Sequence, residues 1–282
     1  MTPNGRFSEA AQQLLHADAL VIASGAGMGV DSGLPDFRGN QGFWNAYPMY
    51  ERLGLSFIQA ANPEHFEDDP HFGWGFYGHR TNLYRSTVPH AGFHLLKNWG
   101  ERFNLPTFIV TSNVDGQFQK AGFADEQVLE VHGSIHHLQC TTPCCRDIWP
   151  NQETLDIDEA TMRARSTPFC PKCRRVARPN ILMFGDYAWL HQRSAIQEER
   201  FDRFLKQYQG GRMVVVEIGA GTAIPTIRHL SERLGQRSQT SVLRINPREP
   251  QIQGKHFSFA GGAVETLTAL QRALEEAGDL PS

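Results

Sequence analysis

The chain has 282 residues, of which 40% are hydrophobic, and a formal net charge of -3 at pH 7. This length and apolar content allow a buried core in one large domain, or in one domain that carries a smaller insert, and they exclude a disordered chain. The weak negative charge excludes a general attraction to nucleic acid. The amino terminus shows no secretion signal and no run is long and apolar enough to span a bilayer, so we expect a cytoplasmic protein that binds neither nucleic acid nor membranes.

Short apolar runs alternate with segments of helical spacing along most of the chain. The runs with strand character are residues 19–23, 107–111, 128–130, 213–218 and 241–245, and those with helical spacing are residues 7–16, 89–99, 198–208, 224–234 and 264–276. This alternation predicts an α/β fold, in which a doubly wound, Rossmann-like parallel sheet binds ligands at the carboxyl ends of its strands.

Two stretches depart from this alternation. Residues 41–85 are rich in aromatic and polar side chains and predict a helical and loop insert around a cofactor and acyl pocket. Residues 138–178 contain all five cysteines and many loop-forming residues, and predict a smaller zinc-binding domain. The remaining residues, 1–40, 86–137 and 179–282, are then assigned to the Rossmann-like domain.

The spacing of the cysteines indicates a structural metal site. Cys170 and Cys173 have two residues between them, a spacing that allows two thiolates to bind one tetrahedral zinc ion. The other pair is Cys140 with either Cys144 or Cys145, and we choose Cys144 because it makes the shorter loop. Four thiolates fill the coordination shell, so the zinc ion is expected to be structural. The alternative is a group of free buried thiols.

The first predicted strand leads directly into the glycine-rich segment SGAGMGVDSGLPDFRG, residues 24–39. Without side chains at Gly25, Gly27 and Gly29, the backbone can come close to a pyrophosphate and present amide groups to it. This pattern indicates nucleotide binding at Gly25, Ala26 and Gly27. A structural turn without a ligand would give the same pattern.

Six segments, in the same order along the chain, resemble the motifs of the sirtuin (Sir2) family. Their sequences are GAGMGVDSGLPDFRG, TSNVD, VHGS, RPNILMFGD, GAGTAIP and IN, at residues 25–39, 111–115, 131–134, 178–186, 219–225 and 245–246. The resemblance covers most of the chain and implies a Rossmann-like domain beside a zinc module. It also implies an NAD-dependent protein-lysine deacylase that acts on acylated proteins or peptides and releases nicotinamide and O-acyl-ADP-ribose.

The resemblance implies a role for individual residues in these motifs. His132 and Asn113 would be catalytic, and His132 would deprotonate a ribose hydroxyl. Besides the residues of the first loop, those implied to bind NAD are Asp36, Phe37, Arg38, Ser112, Asn113, Asp115, Gly219, Gly221, Thr222 and Asn246. Those implied to bind the acyl-lysine peptide are Ile181, Met183, Phe184 and Gly185.

Considered without the resemblance, several of these positions also have a structural interpretation. His132 follows a predicted strand, where an imidazole can act as a base near neutral pH or serve as a hydrogen-bonded structural residue. Asp115 is suited to cap a following helix, and Asp36 can form an ion pair with the arginine two residues later. Gly219 and Gly221 also fit a simple turn between a strand and a helix.

Tyr77 and Arg80 are three residues apart in the segment FYGHR, so on a helix they share one face. They resemble the Tyr-x-x-Arg pair of sirtuins that prefer acidic acyl groups, in which both side chains bind a succinyl or malonyl carboxylate. A guanidinium group is well matched to a carboxylate. The resemblance therefore implies desuccinylation or demalonylation above deacetylation. The alternative is a solvated helical face with Arg80 paired to a nearby carboxylate.

Three departures from the family motifs leave other fates open for the ADP-ribose. Gly29 stands in place of the family's serine, Ser112 in place of a glutamine, and Gln117-Phe118 in place of Leu-His. They are compatible with ADP-ribosyl transfer to a protein or with NAD hydrolysis, whereas the retained His132 favours deacylation. An alternative of another class is a catalytically silent NAD-binding interaction module.

Overall fold

The computed structural model describes residues 3–36 and 39–278. The strands in this part of the chain are β1 (Ala19–Ser24), β2 (Thr107–Thr111), β3 (Val128–Glu130), β4 (Gly133–Cys140), β5 (Ile148–Pro150), β6 (Ile157–Asp158), β7 (Arg163–Ala164), β8 (Ala177–Ile181), β9 (Met213–Ile218), β10 (Thr240–Ile245) and β11 (Phe257–Phe259). The α-helices are α1 (Pro3–Leu15), α2 (Gly39–Ala46), α3 (Pro48–Arg52), α4 (Phe57–Ala60), α5 (His65–Asp68), α6 (Pro70–Ser86), α7 (Ala91–Arg102), α8 (Gln117–Lys120), α9 (Gln192–Gln207), α10 (Thr226–Gly235) and α11 (Ala263–Gly278). Among the described residues, no helix combines the length and the apolar character that a bilayer crossing requires.

Six parallel strands form the main sheet, in the order β11-β10-β9-β1-β2-β3. All residues of β1, β2 and β9 are buried, which is why each is a continuous and mostly apolar run in the sequence. The side chains of β1 alternate, so that Leu20 and Ile22 join the core on one face of the sheet while Val21 and Ala23 join the core on the other. The predicted α/β fold with a doubly wound parallel sheet is confirmed.

Helices cover both faces of this sheet. On one face α1, α7 and α11 pack against the strands through residues such as Leu14, Leu96 and Leu270. On the other face α9 and α10 do so through residues such as Phe201 and Leu230. Because the strands are parallel, their carboxyl ends all meet at one edge of this three-layer unit.

The longest helix among the described residues, α6, lies in the stretch for which we predicted only short helices and loops. Asp69 caps it by accepting a hydrogen bond from the Phe72 N–H at 3.3 Å, and Pro70 is its first residue. A Cβ at Gly75 would lie 1.7 Å from the carbonyl oxygen of Met162, so this glycine allows the helix to contact the neighbouring chain. Since α6 is buried along most of its length, it lacks the amphipathic period from which helices are predicted.

A third core, which we call the aromatic core, lies between helices α2 to α6 and a second sheet. It contains Phe43, Phe76 and Tyr77 from the helices and Ile181 from β8. The rings of Phe43 and Phe76 meet edge-on with their centres 5.8 Å apart, a favourable aromatic arrangement. Val114, which follows β2, belongs to the same core. The aromatic core therefore reaches the carboxyl edge of the main sheet.

The second sheet is antiparallel, has the order β5-β4-β8 and carries the first cysteine at the end of β4. It begins at Gly133 and ends at Ile181, so it extends beyond residues 138–178 on both sides. Gly133 has a φ of 78°, and a Cβ there would lie 2.1 Å from the carbonyl oxygen of Asn180. We propose that the chain has the three parts predicted from the sequence, and that the two sheets join at Gly133.

Candidate active site

Five segments of the chain converge at the carboxyl edge of the main sheet, directly after β1, β2, β3, β9 and β10. Backbone hydrogen bonds continue between them beyond the strands, for example from the Gly25 N–H to the Ile218 carbonyl at 2.9 Å and from the Ser112 N–H to the Ser24 carbonyl at 3.0 Å. Parallel sheets bind their ligands at this edge. The edge brings together the predicted catalytic and NAD-binding residues that the structure describes.

The glycine loops that follow β1 and β9 pack directly against each other. The N–H of Gly27 donates to the carbonyl oxygen of Gly219 at 3.0 Å, and a Cβ on either Gly25 or Gly27 would lie within 2.8 Å of the backbone of Gly219 or Ala220. We expected the amides of Gly25 and Gly27 to face a pyrophosphate, but both donate to protein carbonyls. Gly221 differs from these glycines, because the nearest atom to a Cβ there would be 3.8 Å away.

A small pocket opens beside this contact between the loops. An ion pair of 3.4 Å between Asp36 and Arg248 joins two of the segments around it. Phe37 and Arg38, which we predicted to bind NAD, lie outside the described residues. The residues that line the pocket include Gly27, Asp31, Asp36, Gly219, Ile245 and Gly262.

Two polar side chains fix the second glycine loop to the segment that follows β10. Asn246 is buried, and its Nδ2 donates to the carbonyl of Ala220 at 2.8 Å while its Oδ1 accepts from the N–H groups of Arg248 and Glu249, both at 3.0 Å. The hydroxyl and the N–H of Thr222 donate to the Glu249 carboxylate at 2.5 and 3.3 Å. Asn246 and Thr222 therefore stabilise the loops, and their contact with NAD stays a prediction.

The segment after β2 is held against the first glycine loop. Asn113 donates from Nδ2 to the carbonyl of Gly25 at 3.1 Å. Asp115 is buried, and its carboxylate accepts a hydrogen bond at 3.0 Å from the N–H of Gln117, the first residue of α8, whose N-cap is Gly116. Burial raises the pKa of Asp115 to about 6, although the hydrogen bond from Gln117 favours the charged form. A carboxyl group that titrates close to neutral pH thus lies in the predicted catalytic segment.

His132 lies at the joint between β3 and β4. Its carbonyl oxygen accepts a hydrogen bond from the Leu182 N–H at 2.9 Å. A neutral imidazole carries its proton on one ring nitrogen and can accept a proton at the other. Burial lowers the pKa of His132 below the usual 6.5, against the raising effect of the Ser112 carbonyl. The imidazole is therefore neutral at pH 7 and suited to accept a proton.

Tyr77 and Arg80 lie on the buried side of α6. Arg80 is 6% exposed, and its guanidinium carbon is 5.1 to 5.5 Å from the ring centres of Phe76, Tyr77 and Tyr84. Its Nε and Nη2 donate to the Tyr84 hydroxyl at 3.0 and 2.8 Å. The alternative interpretation of a solvated helical face is therefore wrong. The positive charge of Arg80 lies inside the aromatic core, where interactions with charged groups are screened less than at the surface.

The segment that follows β8 contains the four residues predicted to bind the peptide. Ile181 and Met183 are buried in the aromatic core. Phe184 is partly buried and its ring meets that of Phe57 edge-on, with the centres 5.8 Å apart. Gly185 is exposed and has a φ of 68°, a conformation that favours glycine. These four residues therefore pass from the core to the surface at the end of the second sheet.

A buried ion pair fixes the shape of this segment. Two nitrogens of Arg178 donate to the two carboxylate oxygens of Asp186 at 2.7 and 2.9 Å, and both side chains are fully buried. The same carboxylate accepts hydrogen bonds from the N–H groups of Met183 at 3.3 Å and Ala188 at 3.1 Å. The first and last residues of the motif RPNILMFGD are thus bonded to each other, so that they hold the predicted peptide-binding residues between them.

Four cysteines come together at the end of β4. The Sγ atoms of Cys140, Cys144, Cys170 and Cys173 all lie within 4.8 Å of one another, and two pairs of them are 3.6 Å apart. In a tetrahedral zinc site with Zn–S bonds of about 2.3 Å, the sulfur atoms are about 3.8 Å apart. The number, type and spacing of these thiols therefore fit a structural zinc ion. Cys145 lies outside this set, although its Sγ is 3.8 Å from that of Cys144.

Sequence patterns did not identify three residues that shape this site. Tyr84 follows Arg80 by one helical turn, a spacing that would have indicated a contact if α6 had been predicted. Glu249 bonds to Thr222, which is 27 residues away in the chain, and no local pattern marks such a pair. Asp186 was seen only as part of a motif, and its buried bond to the motif's first residue depends on the turn between them.

Comparison with known proteins gives one family. Residues 25–206, well over half of the chain, match the model of the Sir2 family. A Candida albicans protein named NAD-dependent protein deacylase is 24% identical over 307 residues, which cover 94% of this chain and 96% of that protein. A protein of the same name from Thermococcus sibiricus is 30% identical over 180 residues, which cover 64% of this chain and 65% of that protein.

Solved structures show the same architecture. A mutant Sir2 homologue in complex with ADP-ribose has a TM-score of 0.73 at 25% sequence identity, over 97% of this chain and 98% of that one. A Sir2 homologue in complex with NAD has a TM-score of 0.71 at 23% identity, over 95% of this chain and 94% of that one. The two-sheet fold is therefore shared along nearly the whole length.

Proposed function

Since the chain belongs to the Sir2 family of NAD-dependent enzymes, we propose that it is an NAD-dependent protein-lysine deacylase that releases nicotinamide and O-acyl-ADP-ribose. The observation that carries this proposal is the environment of His132. Its imidazole is neutral and lies directly after β3, at the carboxyl edge of the main sheet. A proton acceptor at this place suits deacylation, whereas a silent binding module has no need of one.

Bound NAD would supply the ADP-ribosyl group that receives the acyl chain. His132 would take the proton of a ribose hydroxyl at the ring nitrogen that does not carry a proton. Asn113, whose side chain is already fixed by its bond to the Gly25 carbonyl, would orient a water molecule or an amide. The aromatic core would exclude water from the acyl chain. The four thiols would hold zinc away from this chemistry, so the metal would stabilise the second sheet.

The acyl-lysine peptide would pair through its backbone with the segment that follows β8. Support comes from the position of this segment, because the Leu182 N–H is bonded to the carbonyl of His132 and Met183 belongs to the aromatic core. A peptide laid along residues 181–185 would thus pass close to both the predicted base and the predicted acyl pocket.

Product analysis tests the proposed activity. With NAD and a panel of acyl-lysine peptides, we expect mass spectrometry to detect nicotinamide and O-acyl-ADP-ribose in equal amounts, both dependent on the peptide. Free ADP-ribose formed without peptide would instead indicate NAD hydrolysis, and ADP-ribose attached to a protein would indicate ADP-ribosyl transfer. A protein that releases no nicotinamide with any peptide would contradict the assignment as an enzyme.

We further propose that the preferred acyl group is acidic, either succinyl or malonyl. The support is the burial of Arg80 among aromatic rings in the core that also contains Met183 and Ile181 of the predicted peptide-binding segment. A guanidinium group removed from water gains strongly from a carboxylate partner. An uncharged acetyl group offers no such partner.

Replacing Arg80 with methionine is expected to lower kcat/KM for a succinyl-lysine peptide by about 10- to 100-fold, the effect of losing one hydrogen-bonded charge pair. The acetyl-lysine peptide of the same sequence should be little affected. Steady-state rates on both peptides give the comparison, and Arg203→Met, an identical change at an exposed position on α9, is the control. A wild-type preference for acetyl-lysine that survives in Arg80→Met would reject an acidic acyl group.

A further inference from the structure

The Tyr84 hydroxyl accepts two hydrogen bonds from the Arg80 guanidinium. The two residues are one turn apart on α6, and both Nε and Nη2 of Arg80 donate to this single oxygen, at 3.0 and 2.8 Å. Tyr84 is 4% exposed and Arg80 6%. The Arg80 guanidinium carbon is also 5.3 Å from the centre of the Tyr84 ring. Tyr84 thus contributes two hydrogen bonds and a ring contact to the orientation of the guanidinium.

The Tyr84 hydroxyl differs in charge from a carboxylate, which is the usual hydrogen-bond acceptor of a buried arginine. Burial raises the pKa of Tyr84, and although the neighbouring Arg80 lowers it, the net shift is upward from 10.0. The hydroxyl is therefore neutral at pH 7. A neutral oxygen can orient a guanidinium group without placing a negative charge beside it.

Tyr84 is in turn tied to the predicted catalytic segment. Its carbonyl oxygen accepts a hydrogen bond from Nε2 of Gln117 at 3.1 Å, and the N–H of Gln117 is bonded to the carboxylate of Asp115. Gln117 is buried, and it is the residue that stands in place of the leucine of the family motif. The end of α6 that carries Tyr84 is thus connected to the segment after β2, which fixes Arg80 relative to the rest of the site.

We propose that Tyr84 is a positioning residue for acyl specificity, whose neutral hydroxyl holds the Arg80 guanidinium in the orientation that binds an acidic acyl group. This inference rests on the proposed preference for succinyl or malonyl groups. It assigns the specificity to three residues of one helix, Tyr77, Arg80 and Tyr84, and predicts that the first two are insufficient without the third.

The variant Tyr84→Phe tests this role because it removes the hydroxyl and keeps the ring. In the full-length, zinc-loaded protein, we expect KM for a succinyl-lysine peptide to rise about tenfold, as for a lost hydrogen bond to a charged group. The kcat for that peptide, and both constants for the acetyl-lysine peptide of the same sequence, should remain close to wild type. Tyr50→Phe is the matched control, because it also removes a buried tyrosine hydroxyl, one that has no hydrogen-bond partner among the described residues.

A double-mutant cycle separates this inference from the proposed function. If Tyr84 acts through Arg80, Tyr84→Phe should have no further effect on the succinyl peptide when Arg80 is already methionine. Equal losses on succinyl and acetyl peptides would show a general structural role and overturn the inference, as would an unchanged KM in Tyr84→Phe. If Arg80→Met itself leaves the preference between the peptides unchanged, the acidic-acyl proposal fails and the role of Tyr84 fails with it. If Arg80→Met affects only the succinyl peptide and Tyr84→Phe affects neither peptide, the role of Tyr84 is rejected and the acidic-acyl proposal stands.

Discussion

The His132→Ala variant is expected to lose NAD-dependent deacylation by a factor of about 10²–10⁴, the usual contribution of a general base. His132 has a neutral imidazole and follows β3, so its replacement removes a proton acceptor from the carboxyl edge of the main sheet. Its backbone bond to Leu182 does not depend on the side chain, so the fold should persist. Initial rates of nicotinamide release with an acyl-lysine peptide, together with thermal unfolding, measure both effects.

The matched control is His94→Ala, the same change at an exposed position on α7, which should keep wild-type activity. A His132→Ala variant that retained near-normal rates would show that another group accepts the proton. If the variant still released nicotinamide but formed no O-acyl-ADP-ribose, His132 would act in a step that follows cleavage of the nicotinamide bond.

The pH profile gives an independent readout of the same group. Only the neutral imidazole accepts a proton, so kcat/KM should be constant at higher pH and fall as the pH drops through the His132 pKa, which burial places below 6.5. Asp115, with a pKa of about 6, titrates in the same range. The acid limb should therefore remain in Asp115→Asn if it belongs to His132, and should disappear if it belongs to Asp115.

Replacing Cys170 with serine is expected to release the zinc ion and to lower the free energy of unfolding by several kcal/mol. This loss is a substantial part of the free energy with which zinc-finger peptides bind the metal. The side chain of Cys170 is buried and its Sγ is 3.6 Å from that of Cys144. Without the metal, the three remaining thiols lose the coordination bonds that hold this part of the second sheet together. Metal analysis and thermal unfolding of the purified variant give the measurement.

Cys145→Ser is the control for this experiment, because Cys145 lies outside the cluster of four. It should retain one zinc ion per chain and unfold like the wild type. If Cys145→Ser lost zinc and Cys144→Ser retained it, Cys145 would be the zinc ligand and Cys144 would not. A chelator that removed zinc from the wild type without changing its unfolding temperature would contradict a stabilising role for the metal.

Most of the main sheet could be predicted because its strands are buried on both faces. The predicted runs 107–111, 128–130 and 213–218 coincide with β2, β3 and β9, since a strand without a solvated face is mostly apolar. The edge strand β11 was missed because it has only three residues, two of them partly exposed. Helix α6 was predicted only as part of a helical and loop insert, because burial on most sides removes the polar face that marks a single long helix.

The positions of the predicted site residues could be derived from the sequence where parallel topology alone determines them. Residues directly after β1, β2 and β9 must meet at one edge, so Gly25, Asn113 and Gly219 could be grouped before any coordinates were known. The surroundings of Arg80 could not be predicted from the sequence, because a charged residue on a helix is normally solvated. Its burial depends on the aromatic core, whose members come from segments that are far apart in the chain.

The direct contact between the two glycine loops bears on how such a nucleotide site can be altered or transplanted. Gly27 and Gly219 leave no room for a side chain on either one, so a larger residue in one loop has to be matched by a shift of the other. Substitutions in the two loops are then not independent, as is usual for residues in contact. An exchange of the first loop for that of a distant homologue therefore requires the matching second loop, and the pair has to be treated as a single unit of redesign.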